Sequence, residues 1–198
     1  MYIVDRVMDV PMSTRFGRFL SGAFRTLDER SGALADHVLL YLGLERSPCN
    51  LRLNSACYTS GLFGDDRCDC TWQLEYALGY FQRCRQGLLI YHMHHEGRGN
   101  GMIEKFRSFH AADRGNQYGA LAYTSQGLPS DAREFESAVA VLRALGIEAV
   151  NLISNNLEKQ RVLQAAGIKV VTRVPAIYAE PRLRRYYGWK RKDFHHHV

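Results

Sequence analysis

The sequence contains no long hydrophobic segment and has few prolines and cysteines. None of its apolar runs approaches the roughly 18 residues that cross a bilayer. No basic region followed by an apolar stretch opens the chain, so we expect neither a membrane span nor a signal peptide. The 17 glycines and 5 prolines follow no short period, which excludes a collagen-like protein. A cytoplasmic location is therefore the expectation.

The remaining composition is typical of one soluble globular domain. The 198 residues are 46% hydrophobic and 23% charged, which is enough apolar surface to build a core and to exclude intrinsic disorder. The five cysteines are an odd number, and in a reducing compartment they do not form a disulfide framework. We expect them to be core thiols or metal ligands.

The net charge of +6 at pH 7 favours an anionic partner such as a nucleotide phosphate or a nucleic acid. The densest basic segment is 182–192, which we expect to be a solvated tail. Its aromatic residues, Tyr186, Tyr187 and Trp189, are too few to predict a base-stacking platform, so nucleic acid is not an expected partner. The terminal segment His195–His197 is assigned no function.

Apolar periodicity predicts an α/β fold, a single domain with a mixed β-sheet flanked by helices. Residues 1–48 indicate a β-rich N-terminal part that extends the sheet in antiparallel fashion, and residues 49–192 alternate between strands and helices. The predicted strands are Tyr2–Val10, Gly17–Phe24, His37–Leu42, the half-buried Asn50–Ala56, Leu88–His92, Ala149–Ile153 and Lys169–Val174. The predicted helices are about Thr71–Arg85, one through Phe106, Phe109 and Ala112, one capped by Ser130 and Asp131 that ends at Gly146, and Leu157–Ala166.

The spacing of three cysteines is compatible with a metal centre. Cys57 ends a predicted strand, and ten residues later Cys68 and Cys70 flank an aspartate just before a predicted helix. Three thiolates hold zinc with one tetrahedral position open for water, and zinc brings such a water to a pKa near ~7. Three buried core thiols explain the spacing equally well. His94 or His95 as a fourth ligand would close the site.

Three turns offer places for phosphate groups. Residues 96–101, Glu-Gly-Arg-Gly-Asn-Gly, join a predicted strand to a predicted helix, where backbone N–H groups and the arginine can bind an anion. Asp131 and Arg133 stand at a predicted helix start, where an N-cap and a surface charge are the alternative roles. Ser154 and Lys159 belong to another strand-to-helix turn.

Taken together, these segments resemble the GTP cyclohydrolase II family, zinc enzymes that open the guanine imidazole ring at the start of riboflavin synthesis. The similarity runs from about residue 50 to about residue 180, and its most specific part is Arg-Cys-Asp-Cys with the upstream cysteine. The segments that carry it are Arg52–Cys57, Arg67–Glu75, Tyr91–His92, Glu96–Arg98, Asp131–Phe135, Ala144–Gly146, Ser154–Asn156 with Lys159, Ala166–Ile168 and Arg173–Pro175.

The resemblance implies a homodimeric hydrolase acting on GTP. Cys57, Cys68 and Cys70 would bind one zinc ion per chain, and a water activated there would attack C8 of the base, opening the ring and then releasing formate. Arg133 would attack the α-phosphate with Asp131 as its base, and magnesium would neutralise the departing pyrophosphate. The residues implied to hold the nucleotide are Arg52, Asn54, Ser55, Gln73, Glu96, Gly97, Arg98, Ser154 and Lys159, with Glu96 also catalytic beside the base and the zinc water.

Departures from the family gather in the segments implied to surround the base. Asn54 stands where a histidine is usual, and Thr59–Gly61 replaces a Thr-Gly-Asp segment. Met93–His95 replaces Arg-Gln with one extra residue, Phe109 replaces an expected tyrosine, and the segment near Ala120–Tyr123 carries another one-residue insertion.

These departures leave alternative functions open. A missing phenol at Phe109 removes a proton donor worth about 10²-fold in rate; if it served only the second hydrolysis, the product would be a formamidopyrimidine nucleotide. A different purine nucleotide as substrate is a second alternative. A non-catalytic basic zinc-binding module is a third, against which the intact Asp131 and Arg133 argue.

Overall fold

One seven-stranded sheet organises the computed structural model, which describes residues 1–115 and 120–194. Its strands are β1 (Tyr2–Thr14), β2 (Gly17–Leu27), β3 (Leu34–Leu42), β4 (Cys49–Ser55), β5 (Gly87–His92), β6 (Ala149–Ile153) and β7 (Lys169–Val174). They lie in the order β1-β2-β3-β5-β4-β6-β7. Pairing is antiparallel from β1 through β3 to β5 and parallel from β5 through β4 and β6 to β7. The predicted mixed sheet with a β-rich N-terminal part is confirmed.

All the helices in the described part of the chain follow β4. They are α1 (Tyr58–Phe63), α2 (Cys70–Cys84), α3 (Met102–Gly115), α4 (Leu121–Thr124), α5 (Glu136–Ala144), α6 (Leu157–Ala165) and α7 (Arg184–Phe194), with 3-10 segments at Met93–Gly99 and Pro181–Leu183. Among the described residues, no helix has the length and apolar character needed to cross a membrane.

Strand β4 lies at the centre of the parallel half and is buried on both faces. Leu51 and Leu53 enter the main apolar core, while Arg52 and Asn54 are only 5% and 4% exposed. The prediction of a half-buried strand is therefore wrong. The polar side chains of β4 face protein rather than water, because Arg52 donates a hydrogen bond to Gln73 of α2.

Helix α5 begins later than the sequence indicates. Its N-cap is Phe135, and the predicted caps Ser130 and Asp131 lie before it in an irregular segment. The Asp131 carboxylate instead accepts hydrogen bonds from the backbone and side chain of Arg133. A side chain engaged by its own neighbour in this way does not cap the helix.

The basic C-terminal segment lies in the 3-10 turn Pro181–Leu183 and helix α7. Arg182, Arg184, Arg191 and Lys192 are exposed, as predicted for a solvated segment. Lys190 differs, because it is 6% exposed and its Nζ atom lies 2.8 Å from Oδ1 of the buried Asp69. For Lys190 the prediction is wrong, because a charge count along the chain does not reveal a buried counter-ion. His195–His197 lies outside the described residues.

The packing of β5 on α2 generates a stability prediction. A Cβ atom on Gly87 would lie 2.1 Å from a ring carbon of the fully buried Phe81, so we expect Gly87→Ala to destabilise the protein by about 1–3 kcal/mol through overpacking. Gly79→Ala is the matched control, because its Cβ would meet only the end of the Arg83 side chain at 3.5 Å. In α2 that change should stabilise the helix by about 0.5–1 kcal/mol. Urea unfolding measures both, and equal effects would contradict the assignment.

Candidate active site

The carboxyl ends of the parallel strands β4, β5 and β6 open onto one cavity of about 520 Å³. Ligands of α/β proteins commonly bind at this edge of the sheet, and the volume is in the usual range for small-molecule sites. Every sequence-predicted site residue except Asp131 lines the cavity. They are Arg52, Asn54, Ser55, Cys57, Cys68, Cys70, Gln73, Glu96, Gly97, Arg98, Arg133, Ser154 and Lys159.

Three cysteine thiols meet at one end of the cavity. Cys57 follows β4, Cys68 precedes α2, and Cys70 is the first residue of that helix. One sulfur of each lies within 4.8 Å of the others, and the Sγ atoms of Cys57 and Cys68 are 3.8 Å apart. Two thiolates on tetrahedral zinc, each with a bond of about 2.3 Å, are separated by about 3.8 Å. The donor set and its spacing therefore fit a zinc ion.

A lysine and a glutamate stand beside the thiols. Lys105 Nζ lies 3.2 Å from Cys57 Sγ and 2.7 Å from Glu96 Oε1. Hydrogen bonds from Cys68 and then Cys70, together with the Lys105 charge, lower the pKa of Cys57. Burial opposes the charge of Lys105, but the Cys57 thiolate and Glu96 raise its pKa overall. The thiol cluster thus has a built-in cation that favours thiolate.

The carboxylate of Glu96 is held in a single orientation. Oε2 accepts a hydrogen bond from the Tyr58 backbone N–H at 2.5 Å, and Oε1 accepts from the Gly97 N–H at 2.8 Å as well as from Lys105. Its side chain is 6% exposed. Glu96 is therefore a fixed, nearly buried base at the thiol end of the cavity.

The two histidines considered as a fourth ligand lie elsewhere. His95 Nδ1 is 3.1 Å from the Ser55 hydroxyl, and His94 Nε2 is 2.9 Å from Glu134 Oε1. Within the part of the chain that the structure describes, neither joins the three cysteines at ligand spacing. The protein thus offers a three-thiolate site with a position left for a further ligand.

A buried polar relay lies beneath the thiols. Arg52 donates to Gln73 Oε1 at 2.7 Å, Gln73 donates to Asp69 Oδ2 at 2.6 Å, and Lys190 donates to Asp69 Oδ1 at 2.8 Å. Arg52 also donates to Asn54 Oδ1 at 3.2 Å. Burial lowers the pKa of Arg52 to about 10. These five side chains support one wall of the cavity by binding one another.

Arg133 and Asp131 form an ion pair, and Arg133 also contacts Ser55 at the end of β4. The Arg133 guanidinium donates to both carboxylate oxygens, with Nε 2.8 Å from Oδ1 and NH2 2.5 Å from Oδ2. Its NH1 donates to the Ser55 hydroxyl at 3.3 Å. Burial opposes both charges, but the pairing raises the pKa of Arg133 and lowers that of Asp131. Asp131 therefore acts on the cavity through Arg133.

The glycine-rich turn brings the Arg133 loop to the site. Gly99 has a φ of +82°, and a Cβ there would lie 2.8 Å from the Ala132 carbonyl carbon. The Ala132 N–H donates to the Arg98 carbonyl at 2.9 Å. The absent side chain at Gly99 lets the two segments touch, which the sequence analysis did not predict.

Lys159 adds another buried cation to the cavity. Its Nζ donates to the Leu53 carbonyl at 2.7 Å, and burial, followed by the charges of Arg52 and Arg133, holds its pKa well below the usual range. Ser154 accepts a hydrogen bond from the Asn156 N–H at 3.0 Å, and Asn156 caps α6. This end of the cavity is strongly positive and suited to phosphate groups.

Phe109 lines the cavity, as its place in α3 predicts. Its ring centre is 4.5 Å from the Arg67 guanidinium carbon and 5.7 Å from Lys105 Nζ. A phenyl ring packed against two cations contributes no proton donor at this position.

Sequence reasoning missed two cavity residues, Lys105 and Lys190, and the buried Asp69 that binds Lys190. Asp69 is fully buried, Lys105 joins Glu96 to a thiol, and Lys190 reaches back from the C-terminal helix. The position of Asp69 between two cysteines was a usable signal, since a buried carboxylate requires a cation. Nothing along the chain pairs Lys190 with it.

Comparisons with known proteins show the family of this chain. The sequence model of the GTP cyclohydrolase II family matches residues 5–175. The chain is similar to GTP cyclohydrolase-2 of Picrophilus torridus, 36% identical over 89% of each chain, and to GTP cyclohydrolase-2 of Neisseria gonorrhoeae, 36% identical over 87% of this chain and 85% of the relative. It is also similar to the riboflavin biosynthesis protein RibBA of Porphyromonas gingivalis, with 32% identity over 96% of this chain and 46% of the relative. The chain belongs to the GTP cyclohydrolase II family.

Proposed function

We propose that this protein opens the imidazole ring of GTP by hydrolysis at C8, with release of pyrophosphate and formate, leaving a diaminopyrimidinone ribosylamino phosphate. One observation carries the proposal: a three-thiol cluster and Arg133, which is held by Asp131, face the same cavity. The first suits hydrolysis at the base, and the second suits chemistry at a phosphate. The names of the relatives support GTP as the substrate.

Cys57, Cys68 and Cys70 would hold the zinc ion. Bound there, zinc would supply a water acidic enough to act as a nucleophile at neutral pH. The ligands must be free thiolates, and Lys105 at 3.2 Å favours that form of Cys57. A reducing, cytoplasmic location is therefore part of the proposal.

Glu96 and Lys105 would handle protons at the base. The three donors on Glu96 keep its carboxylate at the thiol end of the cavity. Lys105, 2.7 Å away, holds a proton next to it. The pair accepts a proton from the attacking water and returns one to the ring nitrogen that leaves, which is general acid–base catalysis.

Buried cations would hold the phosphates. Arg133, Lys159 and Arg98 line the cavity, and the fork of a guanidinium matches two phosphate oxygens. Magnesium bound by the phosphates would neutralise the pyrophosphate as it leaves. Arg52 and Gln73 bind each other. We therefore propose that they support the cavity wall and also contact the nucleotide.

The ion pair favours Arg133 as a clamp over Arg133 as a nucleophile. To attack the α-phosphate, its guanidinium would first have to give a proton to Asp131. The pairing raises the pKa of Arg133 and lowers that of Asp131, which opposes this transfer. We therefore propose that Arg133 stabilises the charge that develops at the phosphate.

A second candidate reaction stops after ring opening. The observation that favours it is Phe109, which presents an apolar ring to the cavity beside Lys105. The product would keep its formyl group if the second hydrolysis needs a phenol. We place full hydrolysis first because Glu96 and Lys105 already provide a base and an acid at the thiols.

We also propose a homodimer. Strand β1 is an edge strand with Tyr2, Val4, Val7, Val10 and Met12 each at least 40% exposed, and exposed apolar edges commonly pair with another chain. Sedimentation equilibrium tests this directly, since a monomeric mass would contradict it.

The zinc assignment predicts the effect of Cys70→Ser. We expect the variant to bind one zinc ion fewer per chain and to lose GTP turnover by more than about 10²-fold, because the three-ligand set is broken. Cys84→Ser removes a thiol outside the cluster and should leave both unchanged. Elemental analysis and a coupled pyrophosphate assay measure the two effects. Unchanged zinc content and turnover in Cys70→Ser would refute the assignment.

The phosphate clamp predicts the effect of Arg133→Lys. The change keeps the positive charge but removes the fork, so pyrophosphate release should fall about 10²–10³-fold while zinc content stays constant. Arg161→Lys on the surface of α6 is the matched control and should be neutral. A native rate of pyrophosphate release in Arg133→Lys would contradict the role of Arg133 as a phosphate clamp. Absence of turnover by the native protein with a panel of purine nucleotides would favour the non-catalytic module.

If the native protein carries out full hydrolysis with release of formate, Phe109→Tyr should not change the product. Mass spectrometry with formate and pyrophosphate assays should give one formate per pyrophosphate for the native protein, and the same ratio for the variant. Pyrophosphate without formate in the native protein, with formate restored in Phe109→Tyr, would instead support the formamidopyrimidine product.

A further inference from the structure

Four histidines gather at the end of β5, and one of them, His95, also lines the cavity. His37 lies on β3 directly opposite His92 of β5 in the antiparallel register. His94 and His95 follow in the next turn, in the segment where this chain departs from its family. The ring centroids of His37, His92 and His94 are 5.0–5.8 Å apart. Three imidazoles from two strands and a turn thus converge on one point.

Each of these three rings is held through one nitrogen. His37 Nε2 is 3.0 Å from the Thr26 hydroxyl, and His94 Nε2 is 2.9 Å from Glu134 Oε1. His92 Nδ1 is 3.5 Å from the Ser137 hydroxyl. Metal-binding histidines are usually oriented in this way, by a side chain on the nitrogen that does not bind the metal.

The other nitrogen of each ring is buried without a partner. Among the described residues, Nδ1 of His37, Nε2 of His92 and Nδ1 of His94 are shielded from solvent and make no hydrogen bond. The side chains of His37 and His92 are completely buried. An unsatisfied buried polar group costs about 1–3 kcal/mol, so three of them in one histidine cluster favour a bound ligand there.

A divalent transition-metal ion satisfies these groups. One ligand atom from each of His37, His92 and His94 lies within 4.8 Å of the other two, close enough for small side-chain rotations to bring them onto one ion. The carboxylate of Glu134, bound to His94, supplies a negative charge next to the site. Neutral imidazole suits zinc, nickel, copper and cobalt rather than magnesium or calcium.

We propose that His37, His92 and His94 form a second metal site, separate from the cysteine cluster, for a borderline divalent ion of the zinc type. The site would clamp β3 to the start of the segment Met93–Gly99 and so steady the turn that carries Glu96 and Arg98.

His95 connects this site to the phosphate clamp. Its ring stacks on His92 with centroids 4.4 Å apart, and its Nδ1 meets the Ser55 hydroxyl that also accepts a hydrogen bond from Arg133. An ion bound to His92 would therefore fix the ring on which His95 stacks, and so steady the hydrogen bonds of His95 and Arg133 to Ser55.

Metal counting in the absence of thiolates tests the site. The full chain is prepared with Cys57, Cys68 and Cys70 changed to Ser, and with His195–His197 changed to Ala so that the terminal histidines contribute no binding. After dialysis against Zn²⁺ alone, we expect one ion per chain by elemental analysis. With Co²⁺ alone, we expect visible d–d bands and no thiolate charge-transfer band. No bound ion would overturn the proposal, whatever the outcome for GTP turnover.

Two histidine variants in that background locate the ion. His94→Gln changes a partly exposed side chain and should remove the remaining ion, whereas His110→Gln, on the exposed surface of α3, should retain it. An ion that survives His94→Gln would overturn the assignment. In the chain with its cysteines intact, His94→Gln should reduce two ions to one and keep the thiolate band of the Co²⁺ form, which shows that the variant is folded.

Discussion

The cavity depends on one buried carboxylate. Asp69 has a fully buried side chain between Cys68 and Cys70, and it binds both Gln73 and Lys190. A buried charge without partners is strongly unfavourable, so its two hydrogen bonds fix the cysteine loop, helix α2 and helix α7 relative to one another. Through Gln73 the same carboxylate orients Arg52 on the central strand.

The cavity beside Asp69 is lined by more positive than negative side chains. Arg52 and Arg133 lie near the buried Lys159. Burial, and then repulsion by these two guanidinium groups, lowers the pKa of Lys159. An anion bound in the cavity would offset this repulsion. A ligand that binds only the folded state stabilises it by mass action, so the arrangement couples phosphate binding to the stability of the domain.

The sequence predicts the order and type of the elements well because apolar periodicity reports burial along the chain. The predicted site residues also come together at one cavity, since Cys57, Glu96 and Ser154 all follow strands whose carboxyl ends meet. What the sequence does not reveal is which polar residues are buried. Arg52 alternates with leucines as a solvent-facing residue would, and Lys190 belongs to a run of surface-like charges, yet both have partners distant in sequence.

The prediction for Asp131 shows the same limit at short range. An aspartate a few residues before a helix satisfies the pattern of an N-cap, and only the docking of Ala132 against Gly99 shows that its carboxylate serves Arg133 instead. The zinc, the products and the oligomeric state are matters of ligands and partners, which the pattern of one chain does not contain.

The mixed pairing of the sheet also governs the order in which the protein can fold. β4 is covered on one side only when Leu51 meets Leu152 of β6, and on the other when it meets Leu88 of β5. Contacts so distant in sequence form slowly. Until they form, Cys57, which follows β4, has no fixed position relative to Cys68 and Cys70. The topology of the sheet thus makes the geometry of the thiol site depend on contacts between distant parts of the chain.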